Sequence, residues 1–123
     1  MNKTIQQILK QSPILCAPLC GYTDFAFRET LSRYCPAIVF TEMLSVEGLT
    51  HNLKKTLSLF KETESATPLG IQLFGNKPDG FKQAAAIMNQ VDFDVIDINS
   101  GCSVKKVLKS NSGCALMLKP ELI

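Results

Sequence analysis

The sequence has little that would commit it to a membrane, to a metal ion or to a dinucleotide-binding sheet. No apolar run approaches the length that spans a bilayer, so no membrane association is expected. The segment from Met1 to Ser12 is polar and lacks the apolar core of a secretory signal, which argues against export. Histidine occurs once, as His51 in a polar segment that reads as helix surface. Cys16 and Cys20 have neither a second cysteine pair nor a nearby histidine to complete a tetrahedral zinc site, so no metal is expected. No G-x-G-x-x-G occurs, and no sequence repeat or low-complexity tract is evident. The net charge of +2 is too small to establish nucleic-acid binding by itself. Five cysteines, an odd count without an export signal, imply reduced thiols in the cytoplasm.

What is present has a clear rhythm. At 123 residues and 46% hydrophobic content, the chain can form one domain with a modest core. Ile14 to Ala17 reads as a short buried strand, broken by Pro18 and Gly21, after which Asp24 can cap a helix from Phe25 to Tyr34. Ala37 to Thr41 is a second strand, and Val46 to Thr63 carries a second helical pattern. Leu69 to Phe74 is a third strand, Pro78 opens a helix running to about Gln90, and Phe93 to Ile98 is a fourth strand. Pro120 to Ile123 starts or continues a helix.

Strands alternating with helices, each strand a continuous apolar run, indicate a parallel sheet covered by crossover helices. A doubly wound sheet would be favoured by a glycine-rich loop after the first strand, but Pro18 to Asp24 holds a single glycine. Polar or conformationally special residues instead fall at the same end of every strand: Ala17-Pro18, Glu42-Met43, Gln72 and Asn99 to Cys102. That is the pattern of a β/α barrel's active face, and a barrel needs about eight units and roughly 250 residues. The fold class is therefore α/β. Residues 1–13 form a lead-in and residues 14–123 form about four β/α units, the N-terminal half of a TIM-type (β/α)8 barrel, truncated after strand four.

The most informative stretch is Asn99-Ser-Gly-Cys-Ser-Val-Lys-Lys106, on a glycine-bent loop directly after the fourth strand. An amide and a thiol three residues apart, with two lysines behind, suit a site that holds a planar polar heterocycle and gives it a proton. Lys105, Lys106 and Lys109 either attract a phosphate backbone or form a solvated face, whereas Lys54-Lys55 reads as solvated. Cys16, Cys35 and Cys114 read as small buried hydrophobes. Gln72, inside an apolar strand, either contacts a ligand or is a satisfied core amide. Glu42 either binds substrate or pairs with a neighbouring cation.

Four ordered blocks carry a family resemblance. Ala17-Pro-Leu-Cys-Gly-Tyr-Thr-Asp-Phe-Ala-Phe-Arg28 resembles the opening signature of the tRNA-dihydrouridine synthases. Phe40-Thr-Glu-Met43, Ile71-Gln-Leu-Phe-Gly75 and Asp97-Ile-Asn-Ser-Gly-Cys-Ser-Val-Lys-Lys-Val107 are similar to the next three blocks. Lys109 to Leu116 resembles the small-residue segment leading into the fourth helix. The resemblance implies an FMN-containing barrel that reduces the C5–C6 double bond of selected tRNA uridines, with NADPH as reductant. It implies that Ala17, Pro18 and Leu19 pass along the flavin ring and that Gln72 hydrogen-bonds its polar edge. Asn99 would orient the target uracil or the ring system beneath it, and Cys102 would be the catalytic acid; from the residues themselves, Glu42, Lys105 and Lys106 join Asn99 as candidate substrate contacts. A thiol with an ordinary pKa of about 8.5 is mostly protonated at neutral pH yet acidic enough to donate to C5. The base must leave the RNA stack to reach a barrel mouth.

Some positions depart from the family pattern. Ser103 stands where the family usually has proline, which frees φ and adds an N–H. Cys20 and Leu118-Lys119 are also unusual. The resemblance places a flavin-contacting lysine, a histidine, the FMN phosphate loops and a helical domain in later segments. A half-barrel leaves strand edges unpaired and apolar surface wet, so the missing half of the barrel or self-association is the expected partner besides tRNA. The alternative is a truncated, non-catalytic half-barrel remnant with at most weak RNA binding.

Overall fold

Apolar runs become strands, and the capped stretches between them become helices, in a computed structural model that describes residues 4–34, 37–54 and 67–123. In chain order the elements are α1 (Ile5–Gln11), β1 (Leu15–Cys16), α2 (Phe25–Ser32), β2 (Ile38–Phe40), β3 (Leu44–Ser45) and α3 (Val46–His51). Then follow β4 (Leu69–Phe74), α4 (Pro78–Met88), β5 (Val95–Ile98) and α5 (Lys105–Lys109), with 3-10 turns at Gly113–Leu118 and Pro120–Leu122. Cys35, Lys55 and the rest of the helical pattern expected up to Thr63 lie outside the described residues.

Among the described residues every pairing is parallel: β1 with β2, β2 and β3 with β4, and β4 with β5. With β2 and β3 taken as one interrupted strand on the edge of β4 opposite β5, the strands stand side by side in the order of the chain. A doubly wound sheet would reverse direction at a switch point; a β/α barrel adds each strand beside the last. The sheet is thus one side of a barrel, and the fold class is α/β of the TIM-barrel type.

The second strand, expected over Ala37 to Thr41, is β2, and a short strand that was not expected, β3, follows it. Phe40 pairs with Gly70, but Leu44 pairs with Leu73, so the segment between them carries one residue more than β4 does. This is a bulge, and it reverses the alternation of side chains. Phe40 shares a face with Gly70, whereas Leu44, four residues later, joins Ile71 and Leu73 on the other. That outer face packs against helices through Val46, Leu49, Ala84 and Met88, all buried. On the inner face Ile38 and Phe40 meet Ile8 and Leu9 of α1, so the lead-in is a helix lying against the sheet rather than featureless chain. Thr4 and Gln7 close this helix with a reciprocal capping box.

The inner face changes character along the strands. Ile38, Phe40 and Val95 are apolar, and Gly70 has no side chain because a Cβ there would strike the Phe40 ring. Further on, Gln72 and Asp97 face each other as register partners. Ile14 and Leu15, expected to be buried, are 66% and 48% exposed, because β1 is an edge of this sheet and its inner side is uncovered. The helix after β1 starts where the sequence indicates: Asp24 accepts from the Phe27 N–H at 2.9 Å. Asp24→Ala removes this cap, and chemical denaturation should show a loss of about 1 kcal/mol.

Candidate active site at the carboxyl ends of the strands

The loops leaving β1 and β5, with Met43 of the bulge, converge on one cavity of about 510 Å³. Ala17, Pro18 and Leu19 line it, as do Gln72, Asn99 and Cys102. Six of the residues singled out in the sequence are thereby brought together. Lys106 lines a second cavity of about 490 Å³, which shares Cys20, Met43 and Val104 with the first. Lys105 is exposed, and Glu42 is among the lining residues of neither cavity.

The cavity wall is held by a run of side-chain hydrogen bonds. Gln72 Nε2 donates to Asp97 Oδ2 at 2.6 Å, and Asn99 Nδ2 donates to Gln72 Oε1 at 2.9 Å. The backbone N–H of Cys102 donates to Asn99 Oδ1 at 3.0 Å. A longer contact of 3.9 Å joins Asn99 Nδ2 to Met43 Sδ. Gln72 is thus an amide satisfied at both ends that still borders the cavity, which combines the two readings open to it in the sequence. Gln72 retains one N–H and one acceptor lone pair for a further partner, and Asn99 retains one lone pair on Oδ1, its second N–H being turned to Met43 Sδ. Sequence reasoning passed over Asp97; its signal is a carboxylate within an apolar strand, two residues before Asn99.

The first loop is fixed from inside. Thr23 Oγ1 accepts from Leu19 N at 3.1 Å and donates to Leu19 O at 3.2 Å. Arg28, buried, donates from its guanidinium to the Thr23 carbonyl at 2.7 Å. Burial pushes the Arg28 pKa down, while Asp24, Glu42 and Glu29 act to raise it. Glu42 Oε1 accepts from the Gly21 N–H, so this carboxylate bridges the first loop to the bulge.

Cys102 sits on the exposed turn before α5, itself half-buried, and its carbonyl accepts from Cys114 N at 3.0 Å. All four described cysteines are free. Cys16 and Cys114 are half-buried rather than fully enclosed as expected, because β1 is an edge and Cys114 lies in a surface 3-10 turn. Burial pushes the Cys16 thiol up, which keeps it a thiol and makes it a poor nucleophile at neutral pH. Among the described residues no group of three or more His, Cys, Asp or Glu could hold a metal ion. No described helix is long and apolar enough to cross a membrane.

Comparison with known proteins gives a consistent result. The family model described as Dihydrouridine synthase (Dus) matches residues 15–123. The "Probable tRNA-dihydrouridine synthase" of Rhodobacter capsulatus is 34% identical over 122 residues, covering 98% of this chain and 38% of that protein. The "Probable tRNA-dihydrouridine synthase 1" of Synechocystis is 34% identical over 119 residues, 96% of this chain and 33% of the relative. The "tRNA-dihydrouridine synthase B" of Pasteurella multocida is 33% identical over 110 residues, 89% and 33% respectively. The chain spans about a third of the length of these curated relatives. With all but its first fourteen residues matched, and with parallel strands in chain order raising an amide-and-thiol loop at their carboxyl ends, the chain belongs to the dihydrouridine synthase family.

Proposed function

We propose that the natural protein reduces uridine in tRNA to 5,6-dihydrouridine, with FMN as the bound cofactor and NADPH as the reductant. The observation that carries this reading is one cavity bounded by the Ala17–Leu19 segment, the amides of Gln72 and Asn99, and Cys102. The residues present fit a flavin. Ala17, Pro18 and Leu19 offer small or apolar surface for a planar ring, and Gln72 keeps a spare donor and acceptor for a polar edge. When bound, FMN supplies the hydride that goes to C6 of the uracil.

The chain's own residues then have separate tasks. Cys102 holds the proton that C5 requires once electron density has moved toward the C4 carbonyl. Asn99, with one lone pair on Oδ1 unused and one N–H held only by the weak acceptor Met43 Sδ, matches the mixed donor and acceptor edge of a uracil. Lys105, Lys106 and Lys109, exposed on α5 next to the Cys102 loop, attract the phosphate backbone. Glu42 supports substrate through the Gly21 loop. In this reading residues 14–123 are the first four units of a barrel completed by further β/α units, and the protein works in the cytoplasm.

Purified natural protein of full length should carry the visible absorbance of a flavin and form dihydrouridine in unmodified tRNA supplied with NADPH, read by nucleoside mass spectrometry. Absence of both flavin and product would sink the enzyme reading and leave the non-catalytic one. Reduction of free uracil at a rate equal to that of tRNA would overturn the substrate assignment.

A further inference from the structure

Two amide side chains in the cavity wall each have two orientations, exchanged by a half-turn about the last torsion. The backbone N–H of Cys102 can only donate, so it fixes Asn99 Oδ1 toward itself. Asn99 Nδ2 is thereby turned to Gln72 Oε1, and Gln72 Nε2 is left for Asp97 Oδ2. A carboxylate can only accept, so the far end of the series demands the same direction as the near end. All three bonds run from Cys102 toward Asp97 without a conflict.

We infer that Asp97 is a positioning residue: through Gln72 and Asn99, its carboxylate holds the backbone amide of Cys102 and with it the loop that carries the thiol. Its place in the sheet makes this possible. Gln72 and Asp97 are register partners on β4 and β5, and the Asn99 N–H is itself bonded to the Leu73 carbonyl at 2.8 Å. The series is therefore anchored in two adjacent strands and ends on a loop. Gln72 is buried and Asp97 and Asn99 are half-buried on the wall of one cavity, so these bonds are partly shielded from water. The consequence for proton delivery rests on the proposed reaction; the hydrogen-bond relay itself does not.

The test is hydrogen exchange of the Cys102 amide in the natural full-length protein, resolved by NMR. Asp97→Ala should speed that exchange about tenfold, the loss of one partly buried hydrogen bond, with Ile71 and Ile96 amides unchanged. Asn99→Asp alone should do the same, because a carboxylate then faces the Gln72 carbonyl oxygen with no proton between them. Combining Asp97→Asn with Asn99→Asp reverses the inner bonds. The new amide at 97 donates to Gln72 Oε1, Gln72 Nε2 donates to the new carboxylate, and that carboxylate still accepts from Cys102. Protection should return to within about threefold of wild type in this pair, the precision expected when the same number of bonds is kept. Unchanged exchange in Asp97→Ala, an equal rise across both strands, or no recovery in the reversed pair would each overturn the inference. If Asp97→Ala fails to fold, the size-conserving pair against Asn99→Asp decides alone. None of these readings depends on flavin or tRNA, so failure of the proposed reaction leaves them intact.

Discussion

Cys102→Ala in the natural full-length protein should lower dihydrouridine formation in tRNA by about 10²- to 10⁴-fold, the range expected when a positioned general acid is lost. Flavin absorbance should be unchanged, because the ring contacts are assigned to Ala17, Pro18, Leu19 and Gln72 and not to Cys102. The cavity also contains a second thiol, Cys20, on the loop after β1. Cys20→Ala is the internal control and should leave the rate within about threefold of wild type, since no proton transfer is assigned to it. The two thiols differ in how they are held. Cys102 has its N–H on Asn99 and its carbonyl on Cys114, whereas Cys20 is on an exposed turn. Single-turnover reoxidation of the reduced flavin by tRNA separates the chemical step from product release. A large loss in Cys20→Ala with little in Cys102→Ala would transfer the acid role to the other loop.

Gly113→Ala should destabilise the protein by about 3 kcal/mol or more in chemical denaturation. Two costs add. Gly113 has φ +63°, a left-handed conformation that costs an L-residue about 1–2 kcal/mol. A methyl group there would also drive into the Cys102 carbonyl oxygen and lie 2.9 Å from Val107 Cγ1 and 3.2 Å from Cys102 Cβ. Val107 is buried and the carbonyl is backbone, so neither can step aside cheaply. Asn111 nearby is left-handed too, at φ +52°, a conformation asparagine tolerates better than most side chains. Because the clash falls on Cys102 itself, the same variant should lose activity beyond its loss of folded protein. A displacement of about 1 Å at a reacting group can cost about a hundredfold. A Gly113→Ala protein with wild-type stability would show that the turn can rearrange, and the account of how the Cys102 loop is backed would fail.

Much of the fold is legible because the strong local signals agree. Leu69–Phe74 is found as read from its apolar run, bounded by Pro68 and Gly75. Pro78 opens α4, and Asp24 caps α2, each by the chemistry that suggested it. The lead-in was harder to read. Its helix is seven residues long, with Ile8 as the buried contact, too short a pattern to stand out from polar chain. Lys105–Lys109, given no element in the sequence reading, forms a short helix, held at its carboxyl end by Ser110 Oγ donating to the Val107 carbonyl at 2.7 Å. Of the six residues that line the cavity as anticipated, Gln72, Asn99 and Cys102 were legible because such side chains at strand ends are chemically out of place, whereas Ala17, Pro18 and Leu19 came from the family resemblance. Asp97 was not legible, since its meaning depends on which residue lies across from it.

The sequence by itself determined the alternation of strands and helices, the end of the strands at which polar residues collect, and the four blocks that mark the family. These depend on propensity, spacing and composition over a few residues. Tertiary structure decided the bulge that turns Leu44 away from the face of Phe40, and the pairing of Gln72 with Asp97. It also decided that Gly113 stands against the Cys102 carbonyl. The physical reason is register. A shift of one residue in a strand pair exchanges its faces, and no local pattern in either strand fixes which residue of one lies beside which of the other.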